Sequence, residues 1–165
     1  MPKNPHDKDL NSAMRKYVAQ IPDISERTLH DREMTYEAFF EDKMLVVQAI
    51  RSGLTFEMFN EICSVSPFSE ADWAEYLSVS TKTMQRIKKE KNFTLKPIHT
   101  EKIFELAEVT QRGEAIFGSS RQFYQWLKTP CKALGNLTPA DLLRDSYGKE
   151  MVMAELNRID QGIFA

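Results

Sequence analysis

The stretch SEADWAEYLSVSTKTMQRIKKEK, residues 69–91, contains the clearest structural pattern in the sequence. It contains two short helical patterns separated by a break of three residues, which is the spacing of a helix-turn-helix. Small Ala74 would let the two helices approach closely. Their shared core would be formed by Trp73, Leu77, Val79, Met84 and Ile87. The stretch therefore predicts a helix-turn-helix whose second helix is the recognition helix.

The polar face of that second helix carries basic and amide side chains at positions i, i+3, i+4 and i+7, which lie together on an α-helix. Two threonines stand near its N-terminal end, the part of a recognition helix that reaches base edges. Further lysines are placed for phosphates. We predict DNA contacts by Thr81, Lys82, Thr83, Gln85, Arg86, Lys88 and Lys89.

The formal net charge of −2 hides an uneven distribution. Residues 31–79 hold ten acidic and three basic side chains, whereas residues 80–96 hold six basic ones and a single glutamate. This basic block favours a surface for phosphate, although a solvated basic helix packed on an acidic neighbour would have the same composition. Two features oppose DNA binding. Ser78 occupies a turn position that favours glycine, and the first helix carries Glu70, Asp72 and Glu75.

Helix start signals recur along the chain, at Thr55, Ser69, Ser80, Ser119 and Thr138, and Gly53 is predicted to be a C-cap. We find no apolar/polar alternation and no Asn-Gly or Asp-Gly turn, so strands are not predicted. The predicted fold is all-α, a helix-turn-helix domain followed by a small helical domain. Its boundaries are residues 1–35 for a weakly structured arm, 36–96 for the helix-turn-helix domain and 97–165 for the C-terminal domain. The arm offers only a short helical stripe: Leu10, Met14, Tyr17, Val18 and Ile21.

Enzymatic chemistry has no recognisable motif in this sequence. The two cysteines show no metal-ligand spacing, and the three histidines lie far apart without a nucleophile or metal pattern. Glycine-rich phosphate loops are absent, so we predict no catalytic residue, no metal and no cofactor. A site assembled from distant residues is the alternative. Without an apolar segment of about 20 residues or a signal peptide, the chain is expected to be cytoplasmic and free of membrane contact.

The C-terminal stretch, after the first helix predicted in the second domain, is the most informative for function. It reads FGSSRQFYQWLKTPCKALGNLTPADLLRDSYGKEMVMAELNRIDQG, residues 117–162. The ordered series is Phe117-Gly118, Trp126-Leu127, Pro130, Ala133-Leu134-Gly135, Thr138-Pro139, Leu142-Leu143, Gly148, Val152, Leu156, Arg158-Ile159 and Gly162. Together with Leu77, Ser80, Thr83 and Arg86 in the helix-turn-helix, it closely resembles the Xre/MbcA/ParS antitoxins. The resemblance covers about residues 55–162.

This resemblance implies a type II antitoxin whose C-terminal domain binds a toxin and whose helix-turn-helix binds the promoter of its own operon. The toxins of the family are mostly RES-domain proteins that consume NAD or transfer ADP-ribose from it, and the antitoxin blocks their active site without catalysing a reaction. A homodimer is expected, because two-fold symmetry matches a palindromic operator. Two alternatives stay open: a stand-alone helix-turn-helix regulator, and a toxin-binding protein that has lost DNA binding.

Toxin contacts are predicted on the exposed side of the last helix and the residues after it. Most apolar residues of the C-terminal domain are interpreted as core, namely Trp126, Leu127, Leu134, Leu142 and Leu143, with Val152, Leu156 and Ile159 facing inward. Gly118, Gly135 and Gly148 are interpreted as turns and caps. The predicted toxin-binding residues are Lys149, Glu150, Met153, Asn157, Arg158, Asp160, Gln161, Ile163 and Phe164.

Two features of this region carry separate hypotheses. Glu150 and Asp160 are hypothesised to compete for cationic groups that hold substrate phosphates in the toxin. Gly162 should end the helix and leave an apolar tail, Ile163-Phe164-Ala165. The tail would insert into a toxin pocket or dock on the protein's own core.

Overall fold

The computed structural model describes residues 5–22, 24 and 34–163. Within these residues it holds ten α-helices, one 3₁₀ turn (Lys132–Leu134) and one antiparallel pair of two-residue strands. The helices are α1 (Pro5–Ala19), α2 (Tyr36–Glu41), α3 (Lys43–Ser52), α4 (Phe56–Ser64), α5 (Glu70–Tyr76), α6 (Thr81–Lys89), α7 (Pro97–Phe117), α8 (Ser120–Leu127), α9 (Pro139–Leu142) and α10 (Ser146–Asp160). The predicted all-α class is confirmed.

The described residues group into two compact units. The first unit contains the residues up to 65 together with 82–101, and the second contains 66–81 together with 102 onward. This grouping differs from the predicted division at residues 96 and 97. Helix α5 belongs with the C-terminal residues, and the change from the first unit to the second falls inside α7, after residue 101. The two helices of the helix-turn-helix thus belong to different units.

Helix α1 is packed into the first unit, so the prediction of a weakly structured arm is wrong for residues 5–22. The predicted helical stripe from Leu10 to Ile21 is fully buried, and α1 packs against α2 and α4. The hydroxyl of Tyr17 shares its proton between the carbonyl oxygens of Ala49, at 3.1 Å, and Gly53, at 2.9 Å. These bonds join α1 to the end of α3.

A short strand pair follows α3 and α6 in the first unit, although the sequence predicts no strand. Strand β1 (Leu54–Thr55) pairs with β2 (Thr94–Leu95), with Leu54 opposite Leu95. Gly53 ends α3 as predicted, with φ of +84°, and an added Cβ would lie 2.5 Å from the carbonyl oxygen of Leu95. Thr100, fully buried, accepts the N–H of Leu54 at 2.9 Å. The pair thereby fixes the chain that leaves α6.

Several predicted helix caps are confirmed by side-chain hydrogen bonds. Ser69 and Asp72 form a reciprocal capping box at the start of α5. Thr55, Ser119 and Thr138 each accept a backbone N–H at the start of α4, α8 and α9. The cap at Ser80 stays a prediction. Local sequence therefore sets the start of most helices in both units.

The core of the second unit contains most of the predicted apolar residues. Leu127, Leu134 and Leu143 are buried, whereas Trp126 and Leu142 are half-buried. In the helix-turn-helix stretch Trp73, Leu77, Met84 and Ile87 are buried and Val79 is half-buried. The predicted core is therefore confirmed at its central positions.

Gly148 has a different role from the predicted turn or cap. It lies in the first turn of α10, where its N–H donates to Asp145 Oδ1 at 2.7 Å. An added Cβ would lie 1.8 Å from the carbonyl oxygen of Leu142. Gly148 is therefore required because the end of α9 crosses α10 at this point, and the turn prediction is wrong here. Gly118 and Gly135 do adopt the left-handed backbone of turns.

Candidate functional surfaces

The turn between α5 and α6 is closed by a serine in the left-handed conformation. Ser78 has φ of +53°, as expected for the turn position that favours glycine. Its neighbour Val79 donates its N–H to the carbonyl oxygen of Ala74 at 3.0 Å, and Ser78 donates to that of Glu75 at 3.1 Å. A left-handed residue other than glycine costs about 1 kcal/mol. The sequence therefore keeps the geometry of the turn without its preferred residue.

Four of the residues predicted to bind DNA, Lys82, Gln85, Arg86 and Lys89, lie on one side of α6 by helical spacing, and Thr81, Thr83 and Lys88 flank them. Thr83 is half-buried and the other six are exposed: Thr81, Lys82, Gln85, Arg86, Lys88 and Lys89. Met84 and Ile87, on the opposite side, are buried. One depression of about 400 Å³ is lined by Lys82, Thr83, Gln85, Arg86 and Lys89. This face can offer cationic groups to phosphates and a glutamine and an arginine to base edges.

The acidic residue Asp72 on α5 is held by donor groups from its own unit. Its carboxylate accepts the backbone N–H of Ser69 at 2.9 Å, the Tyr124 hydroxyl at 3.1 Å and the Lys128 ammonium at 3.1 Å. Burial alone would raise the pKa of Asp72, but the hydrogen bonds from Ser69, Lys128 and Tyr124 outweigh it and lower that pKa. Asp72 is therefore a bonded anion at neutral pH.

A second acidic residue of α5 is also paired with a cation. Glu75 forms an ion pair with Arg144, which lies 3.5 Å from Asp141 as well. The predicted repulsion of phosphate by α5 is reduced at both Asp72 and Glu75, because each has a cationic partner. Sequence reasoning missed both pairs, whose members are more than fifty residues apart.

Helix α10 exposes one continuous face. Tyr147 is 84% exposed and Met151 47%, and Ala154 continues the same face one turn further. Val152 and Leu156, on the opposite side, are fully buried as predicted, and Ile159 is half-buried. Three predicted toxin-binding residues share this face by helical spacing: Glu150 and Gln161, which are exposed, and Arg158, which is half-buried and paired with Glu155 at 3.1 Å.

Other predicted toxin-binding residues are engaged within the second unit. Lys149 is mostly buried and bonds Glu108 of α7 at 2.8 Å. Arg112, also of α7, donates to Asp160 Oδ2 at 2.7 Å and to Asn157 Oδ1 at 3.0 Å. These contacts place Lys149 and Asp160 on the side of α10 that faces α7. Met153 is half-buried.

The end of α10 follows the predicted glycine stop. Gly162 has φ of +71°, and the N–H of Ile163 bonds the Arg158 carbonyl oxygen at 2.9 Å. Ile163 is 50% exposed. Phe164 and Ala165 lie outside the described residues, so the tail hypothesis stays a prediction.

The sequence prediction did not place Tyr147, Met151 and Ala154 on the exposed face of the last helix. Interpreting Gly148 as a turn makes the helix begin after it. The signal that could have placed the start earlier is Asp145, which caps α10 by accepting the N–H of Gly148. An Asp N-cap there puts Tyr147 and Met151 at i and i+4 on a single face.

Neither a metal centre nor a membrane-spanning helix is found in the described part of the chain. Its His, Cys, Asp and Glu side chains form no group of three or more that could hold a metal ion. Over the same residues, every helix is too short or too polar to cross a bilayer. Of the histidines, His99 is described with its side chain, and partial burial, together with nearby Lys96, lowers its pKa.

The exposed basic face of α6 and the second helical unit define the class, a helix-turn-helix protein with an additional helical domain. Residues 45–108 match the family model of the antitoxin Xre-like helix-turn-helix domain. Residues 112–162 match that of the antitoxin Xre/MbcA/ParS C-terminal toxin-binding domain. The protein named Antitoxin Xre from Yersinia enterocolitica is 21% identical over 122 residues, which cover 73% of this chain and 82% of that protein. The chain thus carries, in this order, the two domains of the Xre/MbcA/ParS-type antitoxins.

Proposed function

We propose that this chain is the antitoxin of a type II toxin–antitoxin pair, which binds a RES-domain toxin, blocks its active site and represses its own operon. The resemblance of residues 117–162 supports the choice of a RES-domain toxin. The observation that carries the proposal is that the chain has two separate exposed surfaces. One is the basic face of α6 and the other is the outer face of α10, and they belong to different units.

DNA binding is proposed for the basic face of α6. Lys82, Arg86 and Lys89 would neutralise phosphates, and Gln85 would reach base edges. Helix α6 has nine residues, so one copy offers a small binding surface. A homodimer on a palindromic operator would double this surface and set the spacing of the half-sites.

The DNA proposal is tested by fluorescence anisotropy on a duplex from the promoter of its own operon, at several salt concentrations. We expect Arg86→Ala and Lys89→Ala to weaken binding and to reduce the slope of log K against log salt by about 0.9 for each phosphate that is no longer neutralised. Arg51→Ala is the matched control, because Arg51 is an exposed cation of the first unit outside α6. Unchanged affinity and slope in both α6 variants would contradict the assignment. No salt-dependent binding by the wild type would favour a protein that binds toxin alone.

Toxin binding is tested by co-expression of the full chain with the product of the adjacent gene. We expect a stable complex and the rescue of growth from the toxin. Operator binding without any complex would instead support the stand-alone regulator.

A further inference from the structure

We infer that the toxin is held by a narrow apolar stripe on α10, formed by Tyr147, Met151 and Ala154. This inference rests on the proposed function and names the part of the C-terminal domain that makes the main contact. None of the three stripe residues is among the toxin-binding residues predicted from the sequence.

The stripe follows from the geometry of the helix. Positions 147, 151 and 154 are spaced i, i+4 and i+7, so their side chains lie within about a quarter of the helix circumference. Tyr147 is 84% exposed and Met151 is 47% exposed, whereas Val152 and Leu156 on the opposite side are completely buried. The stripe is therefore no part of the core of its own unit. Large apolar side chains grouped on an exposed helix face mark interaction sites.

Helix α10 is held rigidly behind the stripe. Lys149 is tied to Glu108 and Asp160 to Arg112 on the side that faces α7, and Gly148 touches the backbone of Leu142. A helix fixed in this way gives up little further conformational freedom when a partner binds. The stripe is thus presented ready for contact.

The occupant that fits is the toxin rather than another class of partner. Tyr147, Met151 and Ala154 all lie within the residues that match the toxin-binding domain model. Glu150 borders the stripe, is exposed, and forms no ion pair with any described residue. The partner should therefore offer an apolar cleft with a cationic group at its edge. A binding site for an anionic nucleotide has this chemistry. Tyrosine and methionine are both enriched in protein interfaces, and tyrosine is frequent among the residues that dominate binding.

The test measures the dissociation constant between the full-length chain and a catalytically inactive toxin from the adjacent gene. We expect Tyr147→Ala to weaken binding about 30-fold, as for a dominant interface residue, and Met151→Ala by about 10-fold. The matched control is Leu137→Ala, because Leu137 is an apolar residue of the same unit outside α10 and is about as exposed as Met151. It should change the constant less than about 2-fold. Thermal unfolding should be the same for all variants, because the replaced side chains are exposed.

The outcomes separate this inference from the proposed function. If the wild type binds the toxin and both stripe variants bind equally well, the inference is wrong while the proposed function stands. If the stripe variants lose self-association in sedimentation but keep toxin affinity, the stripe joins two copies and the inference is overturned. If the wild type does not bind the toxin, the proposed function fails and the inference fails with it.

Discussion

Replacing Gly148 by alanine tests the close crossing of α9 and α10. The added Cβ would lie 1.8 Å from the Leu142 carbonyl oxygen. Carbon and oxygen atoms in contact rest about 3.3 Å apart, so the backbone must move by roughly 1.5 Å. Overpacking of this kind costs up to about 3 kcal/mol, because the obstacle is backbone rather than a flexible side chain. The greater helix propensity of alanine returns about 0.5–1 kcal/mol. The net loss of stability should be about 2 kcal/mol.

Urea unfolding followed by circular dichroism measures this loss. With a slope of about 2 kcal/mol per molar urea, the midpoint should fall by about 1 M. Gly162→Ala is the matched control, because Gly162 has no heavy atom within 4 Å of an added Cβ and has φ of +71°. Its cost should stay near about 1 kcal/mol, from the left-handed backbone alone. A Gly148→Ala variant as stable as the wild type would show that α9 and α10 do not cross this closely.

Three further predictions concern the turn and its neighbours. Ser78→Gly should stabilise the protein by about 1 kcal/mol and raise the melting temperature by about 2–4 °C, and an unchanged or lower temperature would contradict the left-handed assignment. Tyr76→Phe removes a buried hydrogen bond to the Ala140 carbonyl oxygen at 3.1 Å, so urea unfolding should show a loss of about 1–2 kcal/mol, whereas no loss would exclude that bond. The pKa of Asp72 is lowered on folding, so its contribution is present above its ordinary value of 3.8 and disappears as pH falls through the folded value. Asp72→Asn should therefore flatten the fall of the urea midpoint as pH decreases below 3.8, and an unchanged dependence would contradict the lowered pKa of Asp72.

Local signals account for much of what the sequence predicts correctly. The capping box at Ser69 and the helix stop at Gly162 depend on residues within one or two turns, so a single sequence contains them. The strand pair escapes prediction because Leu54 and Leu95 are far apart in sequence and two residues are too few to show alternation. The helical pattern of apolar residues in α1 is visible in the sequence. Their burial is not, because a short helix owes most of its stability to tertiary packing.

For the candidate surfaces too, features set by nearby residues could be predicted and features set by distant residues could not. The face of α6 could be predicted because Met84 and Ile87 on one side fix the direction of the other side. The state of Asp72 could not, because its partner Lys128 lies 56 residues away. On α10, the exposure of Tyr147 could not be predicted, because Gly148 is interpreted as a turn from the sequence alone. Only the position of α9 shows that Gly148 lies within the helix and contacts Leu142.

The placement of α5 also limits how genes of this family can be recombined. Helix α5 belongs with residues 102 onward, and Tyr76 depends on the Ala140 carbonyl oxygen for its buried bond. A crossover at residues 96 and 97, the boundary predicted from the sequence, would give α5 a foreign packing partner. On the inference that the outer face of α10 holds the toxin, point substitutions there would change toxin specificity without disturbing the core.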